Sequence, residues 1–398
     1  MDTRANHSQK YDTNTTAIVL WSAILLFSNP SISSGLESTA RQKAAGFLKN
    51  QISVIAEQLL KDFPKDAYTI ESAATFYRQC NSPNKAIALL ERGLRYHPEN
   101  LSLCITMGET ALENGQYDKS VKYLKKAMEI SPENLELYDK MADALMSSGD
   151  NEQSVQTLEE KINKAQFHNL PAAARSGSYY LLGQGYMQLE NYERAKQCYE
   201  KAIEITPDHP ERYYWLAKVY ARLGQSENAK KHMEAHRKLK AELDIKKNEW
   251  ARKEYREVID ISSHLRLKAF PEIMSDLSAH GVGLYRDNNE IEKAKQLWIE
   301  TTKGFIGAIA IYPKQSDMYR ELAFLHLATN SNIADTIDLA EKAVELEGSA
   351  KNYFILYLAW QKNSDQAKAL TAIRKALELE PENAVYRQKY NEIKKRRK

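Results

Sequence analysis

The chain has 398 residues, of which 43% are hydrophobic and 27% are charged. This is the composition of folded globular protein, at a length that exceeds one small core and suits an extended array of repeats. The 56 basic and 53 acidic side chains leave a net charge of +3, so total charge alone does not predict binding to nucleic acid or to a membrane.

An apolar run, AIVLWSAILLF, occupies residues 17–27. A membrane-spanning helix needs about 20 apolar residues, so this shorter run fits the hydrophobic region of an export signal better. Small residues suited to a signal peptidase follow at Ser31 and Ser33, or at Ser38 and Ala40. We expect residues 1–40 to direct export to the periplasm or another extracytoplasmic space, or to anchor the chain in a membrane. A structural leader in a cytoplasmic protein is the alternative.

A repeated unit organises the rest of the chain. Prolines at positions 64, 98 and 132 lie 34 residues apart, and the most complete unit covers residues 176–209. Small and apolar residues recur at helical spacing in its two halves: Tyr179, Leu182, Gly183 and Tyr186 in the first, and Ala195, Tyr199 and Ala202 in the second. The spacing predicts two amphipathic helices joined by a turn at residues 190–191.

The remaining units follow from the same period. Full units are predicted at 67–100, 101–134, 135–164, 176–209 and 210–243, with a break at 165–175, and further units at 316–349 and 350–383 after a diverged one that begins near 275. We therefore predict four regions: a leader at 1–40, an N-terminal array with a half-repeat cap at 41–243, a charged helical linker at 244–274, and a C-terminal array with a basic tail at 275–398.

The unit at 176–209 resembles a tetratricopeptide repeat (TPR). The resemblance rests on a large residue early in the first helix, the pair Leu182–Gly183, Tyr186, an Ala that opens the second helix, and a terminal proline. It implies an all-α fold, a TPR-type helix-turn-helix solenoid wound as a right-handed superhelix, with two arrays joined by a long charged helix. Lys161, His236 and Tyr357 stand where the family has small residues, so we expect their units to be distorted.

No catalytic signature has the spacing that its mechanism needs. The chain contains no G-x-x-x-x-G-K-[ST], no H-E-x-x-H and no G-x-S-x-G. Its three cysteines include no C-x-x-C pair and predict neither a disulfide framework nor a zinc site. We therefore expect no enzyme activity, no metal and no cofactor.

The resemblance implies instead a ligand groove, because the first helices of successive TPR units line the concave surface. Transferring the exposed positions of that surface gives fifteen residues, called here the groove residues: Glu71, Thr75, Arg78, Ile105, Glu109, Leu112, Asp139, Asp143, Met146, Tyr180, Gln184, Met187, Tyr214, Lys218 and Arg222. One end of this set is acidic, and the other is aromatic with basic rims. The Lys and Asn residues with which TPR co-chaperones grip a carboxylate are absent at the matching positions.

The four groove carboxylates, Glu71, Glu109, Asp139 and Asp143, are expected to face solvent or a ligand, since charged side chains are almost never buried unpaired. We hypothesise a non-enzymatic scaffold that binds an extended or helical protein segment bearing Lys or Arg, within a multiprotein assembly. The alternative is a helical repeat protein that binds RNA or an anionic surface through the basic stretch 230–268 and the tail 394–398. Nucleic acid is not the partner that we expect first, and membrane contact is expected only through an uncleaved N-terminal segment.

Overall fold

All regular structure in the described part of the chain is helical. The computed structural model describes residues 34–254 and 261–396, and no strand occurs within them. The α-helices in chain order are α1 Ser34–Asp62, α2 Ala67–Gln79, α3 Pro83–Tyr96, α4 Leu101–Glu113, α5 Tyr117–Ile130, α6 Glu136–Ser148, α7 Asn151–Asn163, α8 Ala172–Gln188, α9 Tyr192–Ile205, α10 Pro210–Arg222, α11 Ser226–Glu254, α12 Ile261–Asp287, α13 Ile291–Ile311, α14 Ser316–Ala328, α15 Ile333–Leu346, α16 Ala350–Lys362, α17 Gln366–Leu379 and α18 Ala384–Arg396. The predicted all-α fold of paired helices is confirmed.

The chain divides into two units. Of the described residues, 65–254 form one, called here the central unit, and 34–64 together with 261–396 form the other, called the terminal unit. In the central unit each helix packs against the next one along the chain, from α2 to α11. Adjacent helices therefore form the pairs that the 34-residue period predicts.

Polar side chains mark where several helices of the central unit begin. Asp66 accepts a hydrogen bond from the backbone N–H of Thr69 at 2.7 Å, and Asn100 accepts one from Leu103 at 3.0 Å. These caps satisfy amide groups that have no partner inside the first turn of a helix. The helix boundaries thus follow from local sequence at these points.

Small residues let the two helices of a pair approach closely. A Cβ atom on Gly108 would lie 2.6 Å from Cγ of Leu124, and one on Gly183 would lie 2.7 Å from Cε1 of Tyr199. Ala195 is fully buried in the same pair as Gly183. The predicted role of these small residues in packing is confirmed.

The break at 165–175 keeps its place in the stack through one aromatic side chain. Residues Ala165–Asn169 form a short 3-10 helix, and Phe167 within it is buried. Its ring packs against Tyr138 and lies 5.7 Å from the ring of Tyr179. Lys161, His236 and Tyr357, at positions that are usually small, all lie inside continuous helices, so the expected distortion does not interrupt α7, α11 or α16.

In the terminal unit, α1 packs along α12 and α13. Glycines on those two helices make room for it: a Cβ atom on Gly281 would lie 2.7 Å from Leu59, and one on Gly307 would lie 2.9 Å from Phe47. The sequence predicts that a half-repeat at residues 44–64 caps the N-terminal array, whereas the structure places these residues in the terminal unit. The apolar face of α1 is covered there.

Polar contacts join the same elements across a long stretch of chain. The hydroxyl of Tyr285 on α12 donates to Asp62 at 2.7 Å, and Nε of Arg41 donates to the hydroxyl of Tyr312 at 2.8 Å. The second contact spans 271 positions in the sequence. The first described helix is thus an integral part of a fold whose other helices begin at residue 261.

The C-terminal part of the predicted linker is also part of this fold. Leu267, Phe270 and Met274 lie on α12 and are fully buried. Residues 244–254 continue helix α11, and residues 255–260 lie outside the described residues. The structure therefore differs from the predicted charged linker over 244–274 in its last part, which belongs to the packed core of the terminal unit.

The predicted leader falls mostly on residues that the structure does not describe. Residues 1–33, with the apolar run at 17–27, lie outside the described residues, as do the last two residues of the basic tail. Among the helices from 34 to 254 and from 261 to 396, none is both long enough and apolar enough to cross a bilayer.

A buried histidine couples the stability of the terminal unit to pH. His326 on α14 is 2% exposed, and neither of its ring nitrogens has a hydrogen-bond partner in the described structure. Burial lowers the pKa of its imidazole from 6.5 to about 4, because the charged ring would lose its hydration. The folded state therefore binds fewer protons than the unfolded chain between these values, and His326 makes stability fall as the pH drops through this window.

We expect His326→Phe to remove this loss. The pKa difference corresponds to about 3 kcal/mol, so wild type should lose about that much more than the variant between about pH 7 and about pH 4.5. Asp276, whose pKa is raised to about 6 by burial and by Glu321 and Glu272, titrates with the opposite effect on stability. The measurement is therefore the wild-type-minus-variant difference in urea denaturation at each pH. An unchanged difference would contradict the assignment.

Candidate functional site

All fifteen groove residues lie on the first helices of the pairs in the central unit. They are distributed over α2, α4, α6, α8 and α10, three on each. Each of them is half-buried or exposed, whereas the small residues next to them on the same helices, such as Gly108 and Gly183, are buried. Contacts between side chains place α2 beside α4, α4 beside α6, and α6 beside α8. The set therefore follows one row of neighbouring helices.

The acidic residues at the start of this row are bound by neighbouring helices. Glu71 on α2 accepts hydrogen bonds from Ser102 at 2.5 Å and from Thr106 at 3.2 Å, both on α4. Two hydroxyl donors thus satisfy an oxygen of a carboxylate that the sequence predicts to face solvent or a ligand. The first of the four expected ligand carboxylates instead ties two helices together.

Glu109 is the centre of a second contact between helices. Nη1 of Arg78 on α2 lies 3.0 Å from one of its carboxylate oxygens, and Lys140 on α6 forms an ion pair with the other. Burial disfavours the charged carboxylate, but the hydrogen bonds from Lys140 and Arg78 outweigh it and lower the pKa of Glu109. One carboxylate thus links three successive first helices.

Asp139 forms the third contact, with a buried lysine. Nζ of Lys161 on α7 is 2.5 Å from one oxygen of Asp139, and the hydroxyl of Ser178 on α8 donates to the other at 3.0 Å. Lys161 also donates to the Ser178 hydroxyl at 2.8 Å and is only 1% exposed. A buried cation is stable only when it is paired and hydrogen-bonded. Asp139 supplies that pairing, so it is a structural residue here.

Asp143 is the exception among the four carboxylates. It is exposed on α6 and forms no hydrogen bond or ion pair with any residue in the described ranges. The surrounding protein partly desolvates the carboxyl and raises its pKa above its usual value. Asp143 is thus the groove carboxylate without a protein partner in the described ranges, whereas Glu71, Glu109 and Asp139 are partly exposed and bonded to neighbouring helices; that any of them meets a ligand stays a prediction.

The other end of the row is aromatic and basic. Nζ of Lys218 lies 4.9 Å from the ring centre of Tyr214 and 4.8 Å from that of Trp215, close enough for a cation–π interaction. The ring of His236 lies 5.4 Å from that of Tyr214, and its Nδ1 is 2.9 Å from the carbonyl oxygen of Pro210. This cluster presents flat apolar surface beside a positive charge.

The half-buried apolar members lie on the same helices as the charged ones. Tyr180 on α8 accepts a hydrogen bond from Gln184 at 3.0 Å, and burial raises the pKa of its hydroxyl. Ile105, Leu112 and Met146 are half-buried on α4 and α6. The sequence predicts which helices carry these side chains, but it does not identify Lys140, Ser102 and Ser178 as partners of the groove carboxylates. The one sequence feature that indicates such a partner is Lys161, which stands where the repeat family has a small residue.

The residues that the structure describes include no candidate metal site. No group of three or more His, Cys, Asp and Glu side chains is arranged to hold a metal ion among the residues that the structure describes. Cys104 and Cys198 are buried and Cys80 is half-buried, and none of the three forms a disulfide. Burial raises the pKa of the Cys198 thiol to about 12, which keeps it protonated and unreactive at neutral pH.

Comparison with known proteins agrees with the repeat architecture. The family model described as "TPR repeat" matches residues 183–224, and the one described as "Tetratricopeptide repeat" matches residues 111–175. No curated protein matches the chain. Among solved structures, MamA residues 41 to the end from Desulfovibrio magneticus RS-1 is similar at 21% identity with a TM-score of 0.41, over 45% of this chain and 97% of that one.

A second solved structure, YrrB, is described as a TPR protein with an unusual peptide-binding site. It is 15% identical, with a TM-score of 0.39, over 48% of this chain and 97% of that one. The two family matches fall on α4 to α8 and on α8 to α10, the helices that carry most of the groove residues. Together with the 34-residue period and the paired helices, these matches show that residues 111–175 and 183–224 contain tetratricopeptide repeats.

Proposed function

We propose that the central unit is a non-enzymatic scaffold whose row of first helices binds an extended or helical segment of another protein. The observation that carries the proposal is that every groove residue keeps access to solvent along neighbouring helices, with half-buried apolar side chains beside the charged ones. Apolar anchors supply affinity in such interfaces, and charges at their edges supply specificity and association rate.

The charges further define the segment. Asp143 is the groove carboxylate without a protein partner in the described ranges, and it stands beside the half-buried Met146. A Lys or Arg of the bound segment would pair with Asp143, while Lys218 and Arg222, both exposed, favour an aromatic or acidic residue at the other end. We propose such a segment, presented by a partner within a larger assembly, as the ligand.

Selection of random peptides on the full chain tests this proposal. Wild type should enrich peptides with Lys or Arg, and Asp143→Lys should abolish that enrichment. Affinity of a selected peptide should fall about 5- to 30-fold, because the change removes an exposed pair and introduces repulsion, together about 1–2 kcal/mol. The loss should shrink at high salt, since exposed charges are screened.

Glu129→Lys is the matched control for this experiment. Glu129 is exposed on α5, the second helix of its pair, and the substitution changes net charge by the same amount. Peptide binding by this variant should equal that of wild type. Equal losses in both variants, or enrichment of Lys and Arg that survives Asp143→Lys, would reject the proposed contact. Selection of anionic polymers in place of peptides would favour the surface-binding alternative.

We also propose, on the sequence pattern alone, that residues 1–40 direct export or membrane attachment. The apolar run at 17–27 and the small residues that follow it are what supports this. N-terminal sequencing of the native protein distinguishes a cleaved signal from a retained segment, and an intact N-terminus on a protein confined to the cytoplasm would reject it.

A further inference from the structure

The terminal unit contains a small cavity where three of its segments meet. The end of α12, the start of α13 and the loop between α14 and α15 surround a volume of about 80 Å³. Its polar lining consists of Arg286, Lys295, Thr329 and Ser331, and its apolar lining includes Ile291 and Trp298. The cavity is distinct from the row of groove residues, which belongs to the central unit.

The loop that forms one wall is held in place by bonds from two other helices. Nη2 of Arg286 donates to the carbonyl oxygen of Thr329 at 3.4 Å, and Nζ of Lys362 donates to Leu327 at 3.0 Å and to the side chain of Asn330 at 2.8 Å. The wall is therefore formed before any ligand arrives, which reduces the entropy that binding would lose.

The cavity carries positive charge that the protein does not neutralise. No carboxylate lines it, and Lys295, which is half-buried, forms no hydrogen bond or ion pair within the described part of the chain. Arg286 makes only its bond to the Thr329 carbonyl there. By contrast, Lys293, two positions before Lys295, is paired with Glu290 and Asp62. A half-buried cation without a counter-charge favours an anion beside it.

The hydroxyls add one donor that an anion can recruit. The Thr329 hydroxyl donates to the carbonyl oxygen of Leu325 at 2.6 Å, so its single proton is engaged. The Ser331 hydroxyl lies 2.9 Å from that of Thr329 and is therefore the donor of that contact, so it can donate to an anion in the cavity only by exchanging this bond for the new one. Together with the guanidinium of Arg286 and the ammonium of Lys295, three different donors line one small space.

We propose that this cavity binds a tetrahedral oxyanion, a phosphate or sulfate group, through Arg286, Lys295 and Ser331. A guanidinium and an ammonium are the side chains best suited to phosphate oxygens. One water takes up about 30 Å³ in the liquid, so the cavity has room for one such group and none for a nucleoside attached to it inside. The group is either a free anion or the terminal phosphate of a larger molecule that stays outside.

Calorimetric titration of the full chain with inorganic phosphate, at constant ionic strength in chloride, tests the site. Wild type should bind phosphate, and Lys295→Met should weaken binding at least about tenfold, the effect of losing a charge-assisted contact of about 1.5 kcal/mol. Ser331→Ala should weaken binding by a smaller factor. Urea denaturation in chloride shows whether each variant is folded, so that loss of binding is separated from loss of structure.

Lys303→Met is the matched control, because Lys303 is exposed on the same helix, α13, and does not line the cavity. It should bind phosphate as wild type does. O-phosphoserine serves as the second probe: competition with inorganic phosphate assigns the site to terminal phosphate groups, and binding of inorganic phosphate alone assigns it to a free anion. Absence of binding to both probes, or an equal loss in the Lys303 and Lys295 variants, would overturn the proposal.

Discussion

Replacing Leu48 and Ile52 together with alanine should destabilise the terminal unit by about 4–10 kcal/mol, since each large-to-small change in a core removes about 2–5 kcal/mol. Both side chains are fully buried on α1, whose partners α12 and α13 lie more than two hundred positions later in the sequence. A loss of this size equals the whole stability of many domains. We therefore expect residues 261–396 to unfold while the central unit remains protected from exchange.

Hydrogen exchange followed by mass spectrometry is the measurement, because it reports each helix separately. Val54→Ala on the same helix is the control: Val54 is 62% exposed, so its truncation should leave exchange in α12 to α14 unchanged. If the double variant instead exposed α2 to α4 and left α12 and α13 protected, α1 would be the cap of the N-terminal array that the sequence predicts, and the assignment to the terminal unit would be wrong.

The error about α1 shows where repeat periodicity stops being informative. Pro64 is in register with Pro98 and Pro132, so the period correctly predicts a helix before position 64. A period states which residues form one unit of a stack, but it does not state which stack covers the unit's apolar face. The bond between Arg41 and Tyr312 depends on a chain reversal that no local pattern encodes.

The small residues were predictable because their constraint is local. Gly183 and Tyr199 belong to consecutive helices, and the short turn between those helices fixes which positions meet. The misassigned end of the linker had a usable signal of the same kind. Leu267, Phe270 and Met274 follow the i, i+3, i+7 spacing of a buried helix face, although the charged residues around them dominate the composition.

The sequence predicts which helices carry the groove residues, but it does not predict which side chains form ion pairs with them. The repeat register places Glu109 and Asp139 on the correct helices, but their partners Arg78, Lys140 and Lys161 lie on other helices. Whether a carboxylate in a groove is free for a ligand depends on such neighbours in the stack. Asp143 differs from them because no described residue forms a hydrogen bond or ion pair with its carboxylate. An interpretation of the sequence alone therefore overestimates how many groove carboxylates lack a partner within the protein.

Asp139→Leu should cost the central unit about 3–5 kcal/mol, because it leaves the ammonium of Lys161 buried without its counter-charge. Lys161→Met should cost clearly less. Asp139 is 30% exposed, so it can be solvated when the lysine is gone and can still accept the hydrogen bond from Ser178, whereas Lys161 is 1% exposed and has no route to water. Asp139→Leu is therefore expected to be the more destabilising change, because it leaves a buried charge without a partner, whereas Lys161→Met leaves a charge that water can reach.

The double variant Asp139→Leu, Lys161→Met should recover most of the loss, since an apolar pair of similar size often replaces a buried ion pair at little cost. Urea denaturation of the four proteins gives the coupling energy directly, and hydrogen exchange in α6 to α8 locates it. Equal costs for the two single variants, or additive costs in the double variant, would mean that the pair does not behave as a buried unit. Recovery in the double variant would establish Asp139 as a residue that holds α6, α7 and α8 together, and our proposal would then assign the ligand contact on α6 to Asp143 alone.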